Sequence, residues 1–305
     1  MTATGKEPRI SIGLPVYNGE RFLRRTLDCL LAQTYRDFEL IICDNRSDDQ
    51  TEQICRTYST TDRRIQYHRS QTNLGAPANF NLAFTLSQGE YFKWAAADDY
   101  CDQHFLERCM TVLDQSPEVV LCYPKTRMID ESDVLLNEYD DKLDLQFGSP
   151  HERLSRLLRN IEMCNAVFGL IRSRAIKKTR LFGTYPSSDL VFLAELTLYG
   201  AFVEIPETLF FRRTFELSVV KYPSPYDRMA IFAPKSTRRW LFPNWRLFLG
   251  HLVAIYYAPV RLSEKFRCYL AMRIWLKRWG RDLRADVTLP LRRQLKMLRT
   301  AVRRQ

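Results

Sequence analysis

The chain has 305 residues, of which 46% are hydrophobic and 27% charged, a balance that excludes global disorder and suits one large domain with an appendage or two small ones. Its net charge of +11 is confined to the C-terminus: residues 261–305 hold fourteen Lys/Arg and three Asp/Glu, and the remainder balances 32 basic against 32 acidic residues. That asymmetry marks an appended basic segment suited to an anionic surface, while the neutral body argues against a nucleic-acid-binding domain.

Ile10 to Leu14 is a short apolar run that ends at Pro15, and Tyr17-Asn18-Gly19 is a turn. Phe22, Leu23, Thr26, Leu27, Leu30 and Leu31 follow at helical spacing. Phe38 to Cys43 predicts a buried strand that stops at Asp44, and residues 45–49 supply turn and N-cap chemistry for a second helix. Ile65 to His68 predicts a third strand, Asn73-Leu74-Gly75 a turn, and Pro77 a helix start before Asn79 to Leu86. Tyr91 to Ala95 predicts a fourth strand ending at Asp98-Asp99, then a helix over about 103–114 and a strand over Val119 to Tyr123. Residues 137–150, NEYDDKLDLQFGSP, read as a turn-rich acidic linker. Beyond it, helices are expected over about 151–160 and over Ser188 to Tyr199. Strands are expected over Ala166 to Ile171, Ala201 to Val203 and Thr208 to Phe211.

The alternation is that of an α/β protein with an open, mainly parallel sheet flanked by helices. Ligands of such sheets gather beyond the carboxyl ends of the strands. Pro15, Tyr17, Asn18, Asp44, Asn73 and the Asp98-Asp99 pair each follow such an end, so four polar clusters converge on one edge. Eight cysteines without C-x-x-C spacing give no support to a structural zinc site and suit the reduced thiols of a cytosolic protein. The segment MTATGKEPRI has no apolar signal region.

Residues 9–125 resemble the nucleotide-sugar half of family 2 glycosyltransferases, which have the GT-A fold. The matching pieces are ISIGLPVYNGERFLRRTLDCLLAQTYRDFELIICDNRSDDQT, NLGAPANFNLAF and WAAADDY, and the likeness returns at CNAVFGLIRSRAI and SSDLVFLAELTLYGAFVEIPETLFFRR. The resemblance implies an inverting, metal-dependent transfer from a UDP- or dTDP-sugar to a glycan or lipid-linked acceptor, in polysaccharide or glycolipid biosynthesis. It implies that the Asp44 carboxylate accepts the N3–H of a uracil or thymine ring, a charge-assisted bond that helps select the base. Pro15, Tyr17 and Asn18 would shape the base pocket, and Asn73 and Gly75 would admit the ribose or pyrophosphate, although N-x-G is also a plain turn.

Asp98 and Asp99 would hold Mn²⁺ or Mg²⁺ against the diphosphate, because paired acids repel each other until a cation intervenes. Many relatives carry Asp-x-Asp-Asp where this chain has Ala96-Ala97-Asp98-Asp99. Asp189, which locally reads as a first-turn aspartate, falls where the family carries its general base. Arg212-Arg213 suit either a diphosphate clamp or a solvated strand end. The implied division is a nucleotide-sugar half over 1–136, a linker over 137–150, an acceptor and catalytic half over 151–225, and a basic helical tail over 226–305.

In that tail, Leu247 to Ala258 is too short an apolar run to span a bilayer. From Leu262 onward, Leu262, Phe266, Tyr269, Leu270 and Ile274 line one helical face, with Trp275 and Trp279 nearby and arginines and lysines around them. This basic amphipathic pattern predicts peripheral attachment to an anionic membrane on its cytoplasmic side. A dehydrogenase is set aside because the first strand-to-helix turn lacks G-x-G-x-x-G. Two further alternatives are a non-catalytic sugar-nucleotide-binding partner protein, which the intact acids argue against, and a nucleic-acid binder using the tail, which the neutral body argues against.

Overall fold

The computed structural model describes residues 7–215 and 242–302. Four parallel strands lie in the order β3-β2-β1-β4: β1 (Ile10–Val16), β2 (Phe38–Asp44), β3 (Ile65–Arg69) and β4 (Tyr91–Trp94). Crossover helices α1 (Leu23–Leu31), α2 (Thr51–Thr61) and α3 (Ala76–Thr85) join them. β1 and β2 are buried along their whole length, as their continuous apolar runs require of central strands covered on both faces. Val16 pairs with Asp44, and Asp44 with Arg69, so the three strands finish level. That register brings the loops after them to one edge.

The sheet continues through β8 (Leu170–Arg172), β6 (Val119–Ile129), β9 (Ala201–Arg213) and β5 (Tyr100–Cys101), with β7 (Leu135–Tyr139) paired to β6. β8 runs antiparallel between β4 and β6, whereas β6 and β9 are parallel to each other. Leu40 and Ile42 face one core with α1, α2 and α4 (Phe105–Gln115). Ile41 and Cys43 face the other, with α3, α5 (Pro150–Asn160) and α7 (Ser188–Leu196). The short α6 (Ser173–Ile176) follows β8. Gly13 has no room for a side chain, since a Cβ there would meet Phe92 at 2.5 Å.

Three local expectations change. Residues 137–150 begin inside β7, and Leu143 and Leu145 are fully buried, Leu145 bridging to Phe202; the stretch is sheet edge and core cover rather than a free linker. The expected strand over 166–171 is a 3₁₀ turn over Asn165–Phe168 and only three residues of strand. Gly169 crosses so close to β6 that a Cβ would sit 2.7 Å from the Cys122 carbonyl. The two strands expected over 201–211 are one, β9, whose register slips opposite Pro124–Thr126. Pro206, which has no ladder N–H, is taken up in that irregularity. The expected boundary at 225/226 lies outside the described residues.

Two C-terminal helices, α8 (Pro243–Tyr257) and α9 (Leu262–Val302), pack on the α5/α7 face. Asp286 on α9 accepts the N–H groups of Asn244 and Trp245, placing a buried carboxylate at the N-terminus of α8. α8 lies on α7 so closely that a Cβ at Gly250 would meet Val191 at 3.1 Å, and the Gly250 carbonyl accepts from Arg180 at 2.9 Å.

Arg172 joins these layers from beneath. Its buried guanidinium donates to the carbonyls of Val119, Leu113 and Ser116 and to the Tyr91 hydroxyl. Two of those carbonyls lie at the C-terminal end of α4, where a cation complements the helix dipole. Replacing Arg172 by Met strands these acceptors, so Arg172→Met should lower unfolding free energy by about 3 kcal/mol. Urea denaturation followed by circular dichroism measures this, and a midpoint equal to wild type would refute it.

Candidate active site

Beyond the ends of β1 and β4 lies a cavity of about 440 Å³ whose walls include Pro15, Tyr17, Asn18, Arg21, Phe80 and Asp98. The sequence-predicted Pro15, Tyr17, Asn18 and Asp98 therefore meet. The turn that carries three of them is laced to the loop after β2. The Asn18 N–H donates to the Ser47 hydroxyl at 3.0 Å, and Asn18 Oδ1 accepts from the Asp48 N–H at 3.0 Å. Asn18 holds φ of 51°, a left-handed conformation that Asn tolerates better than most residues.

Asp44 is not in that wall. It is fully buried, and its carboxylate accepts from the Ser47 N–H at 2.8 Å, the Tyr67 hydroxyl at 2.8 Å and Arg69 Nε at 3.2 Å. There it fixes Ser47 and, through it, the Asn18 turn. Asn73 and Gly75 are also engaged locally. Asn73 Oδ1 accepts from Asn45 Nδ2 and from the Gly75 N–H, and Gly75 takes φ of 85° to open α3. Asn45, expected only as part of the turn before α2, ties β2 to this loop through both its amide atoms.

The Asp98-Asp99 pair divides. Asp98 lines the cavity. Asp99 is buried, and its Oδ1 accepts the Arg213 N–H at 2.8 Å. Burial raises the Asp98 carboxyl above the usual carboxylate range, and burial with the Asp98 charge pushes Asp99 up to about 7. A divalent cation would relieve that cost, and two carboxylates fit such an ion when substrate oxygens complete its shell. Among the described residues no third His, Cys, Asp or Glu joins them.

Arg213 is neither a diphosphate clamp nor a solvated strand end. Its guanidinium is buried, donating to the carbonyls of Asp98 and Asp130 and pairing with Asp133. Arg212 turns the other way. It donates to Asn165 Oδ1, and its charge draws down the carboxyls of Asp98, Asp99, Asp141 and Asp189.

Asp189 opens α7 in a second cavity, of about 290 Å³, with Pro77, Phe80, Val167, Phe168 and Phe182 among its walls. Phe80 is common to both cavities. The apolar surroundings raise the Asp189 carboxyl above its usual range, opposed by the Cys164 thiol, the Leu190 N–H and the Arg212 charge. Ser187, immediately before the helix, has φ of 62°, a left-handed turn that aims the start of α7.

Lys93 and Asp141 are among the buried ionisable groups not singled out from sequence. Lys93 lies within β4, donating to the carbonyls of Phe168 and Trp94 with its ammonium 4.1 Å from the Phe105 ring, and burial lowers its proton affinity. A lysine amid the apolar Tyr91–Ala95 run was the available signal. Asp141 was hidden in the supposed linker. A larger depression, of about 630 Å³, lies at the opposite edge beside Arg9 and Arg172, but those arginines are already engaged by Asp114 and by the carbonyls above.

The family model for glycosyl transferase family 2 matches residues 11–180. An uncharacterized glycosyltransferase of Rickettsia typhi is 26% identical over 67% of this chain and 61% of its own length. Chondroitin synthase of Escherichia coli is 30% identical over 44% of this chain and 19% of its own. The chain thus spans less than two-thirds of the length of these relatives. Among solved structures, S. aureus TarS residues 1–349 in complex with UDP-GlcNAc aligns with a TM-score of 0.64 at 18% identity, covering 88% of this chain and 73% of that one. The Pyrobaculum calidifontis mannosyltransferase PcManGT, in complex with GDP-Man and Mn²⁺, aligns with a TM-score of 0.52 at 14% identity, covering 94% and 88%. These structures establish the GT-A fold.

Asp141 gives the site a measurable pH signature. Burial and the nearby Glu204 push its carboxyl up to about 8, against about 4 when unfolded. Across that window the folded chain keeps a proton the unfolded chain has lost, so this contribution to stability falls as pH rises. Asp141→Asn is neutral throughout. Its melting temperature should gain on wild type by several degrees more at pH 8.5 than at pH 5. A gap that does not change with pH would show that the carboxyl titrates normally.

Proposed function

The chain belongs to glycosyl transferase family 2, and from that footing we propose that it is an inverting hexosyltransferase, moving a sugar from a UDP- or dTDP-sugar to the hydroxyl of a glycan or lipid-linked acceptor. The observation that carries this reading is the pair of cavities meeting at Phe80, with Asp98 in one wall and Asp189 in the other. Inversion needs the acceptor oxygen to attack C1 from the side opposite the departing nucleotide. Separate cavities joined at one ring suit that arrangement.

In this reading Pro15, Tyr17 and Asn18 receive the base, with Tyr17 offering an aromatic face. Asp44, at the end of β2 beside that turn, would accept the N3–H of the uracil or thymine ring. Asn73 and Gly75 shape the neighbouring loop, where the ribose or pyrophosphate would pass. Asp98, with Asp99 behind it, would hold Mn²⁺ or Mg²⁺, which offsets the charge growing on the diphosphate. Arg212 supplies a second positive charge facing the same acids. Asp189 takes the acceptor hydroxyl's proton, and its burial makes it a stronger base than an exposed carboxylate. Phe80, Phe168 and Phe182 exclude water beside it and offer faces to the C–H surface of a sugar.

No described helix is long and apolar enough to cross a membrane. The proposed setting is peripheral, on the cytoplasmic face of an anionic membrane.

Asp189→Asn keeps the side chain's shape and removes the base, so kcat should fall about 10²–10⁴-fold. The donor dissociation constant from calorimetric titration, and fold stability, should hardly change. In wild type, the loss of kcat on acidification should begin above the ordinary carboxylate range, because the Asp189 carboxyl is raised. Turnover of Asp189→Asn within a few-fold of wild type would remove it from the mechanism.

Chelation, or Asp98→Ala, should abolish transfer and weaken nucleoside diphosphate binding. Full activity in excess chelator would refute the metal.

A further inference from the structure

We infer that the outward face of the α8–α9 hairpin docks on an anionic membrane surface, and that this face consists of side chains at the helical spacing 262, 266, 269/270, 273, 276/277. It deepens the transferase reading, resting on it for a lipid-linked acceptor, while the docking itself stands on the hairpin alone.

The two faces of α9 differ sharply. Cys268, Met272, Trp275 and Leu283 are buried against the body. On the opposite face Leu262 is 84% exposed and Phe266 65%, followed by Tyr269, Leu270 and Leu276. α8 runs antiparallel beside it. Lys265 Nζ donates to the Tyr256 carbonyl, and the Tyr269 hydroxyl to that of Leu252. Exposed Leu249 and Tyr256, seven residues apart, extend the same apolar surface from α8. Large aliphatic and aromatic groups are thus gathered on the sides of two adjacent helices that face away from the core, where scattered exposed residues would be the ordinary case.

Charge selects the occupant. Residues 261–288 hold eight Lys/Arg and three Asp/Glu. Two of the three acids are taken up: Glu264 pairs with His151 at 2.9 Å, and Asp286 caps α8. Arg261, Arg267, Arg273 and Lys277 are exposed around the apolar stripe. Such a rim complements anionic lipid headgroups while the stripe enters the acyl boundary. It would repel the matching rim of a second copy. The aliphatic members of the stripe offer nothing to a nucleic acid, whose bases stack on aromatic rings.

The tryptophans do not insert. Trp275 is buried, its ring tilted against Phe248 at 5.1 Å and against Trp279 at 5.5 Å, so they join the platform to the body. Because α8 also packs on α7, the platform is fixed to the helix that carries Asp189. Docking would set the orientation of the acceptor cavity as well as its location.

The test uses the full chain in vesicle sedimentation, with phosphatidylglycerol/phosphatidylcholine vesicles compared with phosphatidylcholine alone. Wild type should sediment with the anionic vesicles only. Phe266→Ser/Leu270→Ser and Arg273→Glu/Lys277→Glu should each lower vesicle partitioning by about tenfold or more. All four positions are exposed, so melting temperatures should match wild type. If one variant fails to fold, the other carries the test.

Wild type that ignores anionic vesicles, or folded variants that sediment as wild type does, would overturn the inference. So would substitutions that split a vesicle-free dimer, or capture by an oligonucleotide with no vesicle binding. Thermal shift by UDP- and dTDP-sugars, measured in parallel, separates the two readings. Vesicle binding without donor binding leaves the platform and removes the transferase.

Discussion

Arg213 sits where three parts of the chain must be held together: the Asp98-Asp99 corner after β4, the end of β9, and the turn over 130–133. Only 1% of its side chain is exposed. A buried guanidinium is costly unless its donors are used. Here they reach the Asp98 and Asp130 carbonyls and Asp133, and the cation lies 4.2 Å from the Phe22 ring. Its own backbone N–H holds Asp99. One consequence is electrostatic: two adjacent acids are kept partly buried with a fixed positive charge behind them, which leaves Asp98 facing the cavity. Another is geometric, because β4 and β9 are separated by β8 and β6 in the sheet, and this knot ties their ends directly.

Neighbouring residues of a strand point to opposite sides, and Arg212 and Arg213 show what that does to a repeated letter. The two are indistinguishable in sequence. In the fold one is a buried brace and the other supplies the charge facing Asp189. Asp44 shows the same limit. That it ends a strand at the correct edge follows from the apolar run Phe38–Cys43, and the structure puts it there. Which way its carboxylate turns depends on Tyr67 and Arg69, two residues of another strand whose register no local pattern reveals.

The first half of the sheet was legible because its strands are continuous apolar runs ended by turn residues, and the level register of β1, β2 and β3 follows from burying them together. The stretch 137–150 was not, because polar residues outnumber the apolar ones. Leu143 and Leu145 alternate with Lys142 and Asp144, and two leucines at strand spacing are enough to close a sheet edge when Phe202 lies opposite. Hiding Asp141 in that cover removes its carboxylate from water beside Glu204 and accounts for its high proton affinity. The outward stripe of α9 was readable from its spacing for Leu262, Phe266, Tyr269 and Leu270, whereas Ile274, expected with them, packs against the buried cluster. The inward one was not, since Cys268, Met272 and Trp275 become a core face only once α5 and α8 are in place.

The C-terminal hairpin is part of the core as well as the carrier of the exposed stripe. Leu247, Ala254 and Ile255 of α8 and Met272 and Trp275 of α9 belong to the same buried cluster as Val191 and Phe192 of α7. Deleting the basic segment would uncover that cluster and leave α8 without its Asp286 cap, loosening the helix that presents Asp189. In the docking inferred above, the attached face and the proposed base are joined through packing: the face turned to solvent can be altered at little cost to the fold, whereas the segment cannot be removed without disturbing α7. On that inference, docking fixes the orientation of the cavity that Asp189 lines. That suits a transferase whose acceptor is held in the membrane plane, and would be unnecessary for one whose acceptor diffuses freely.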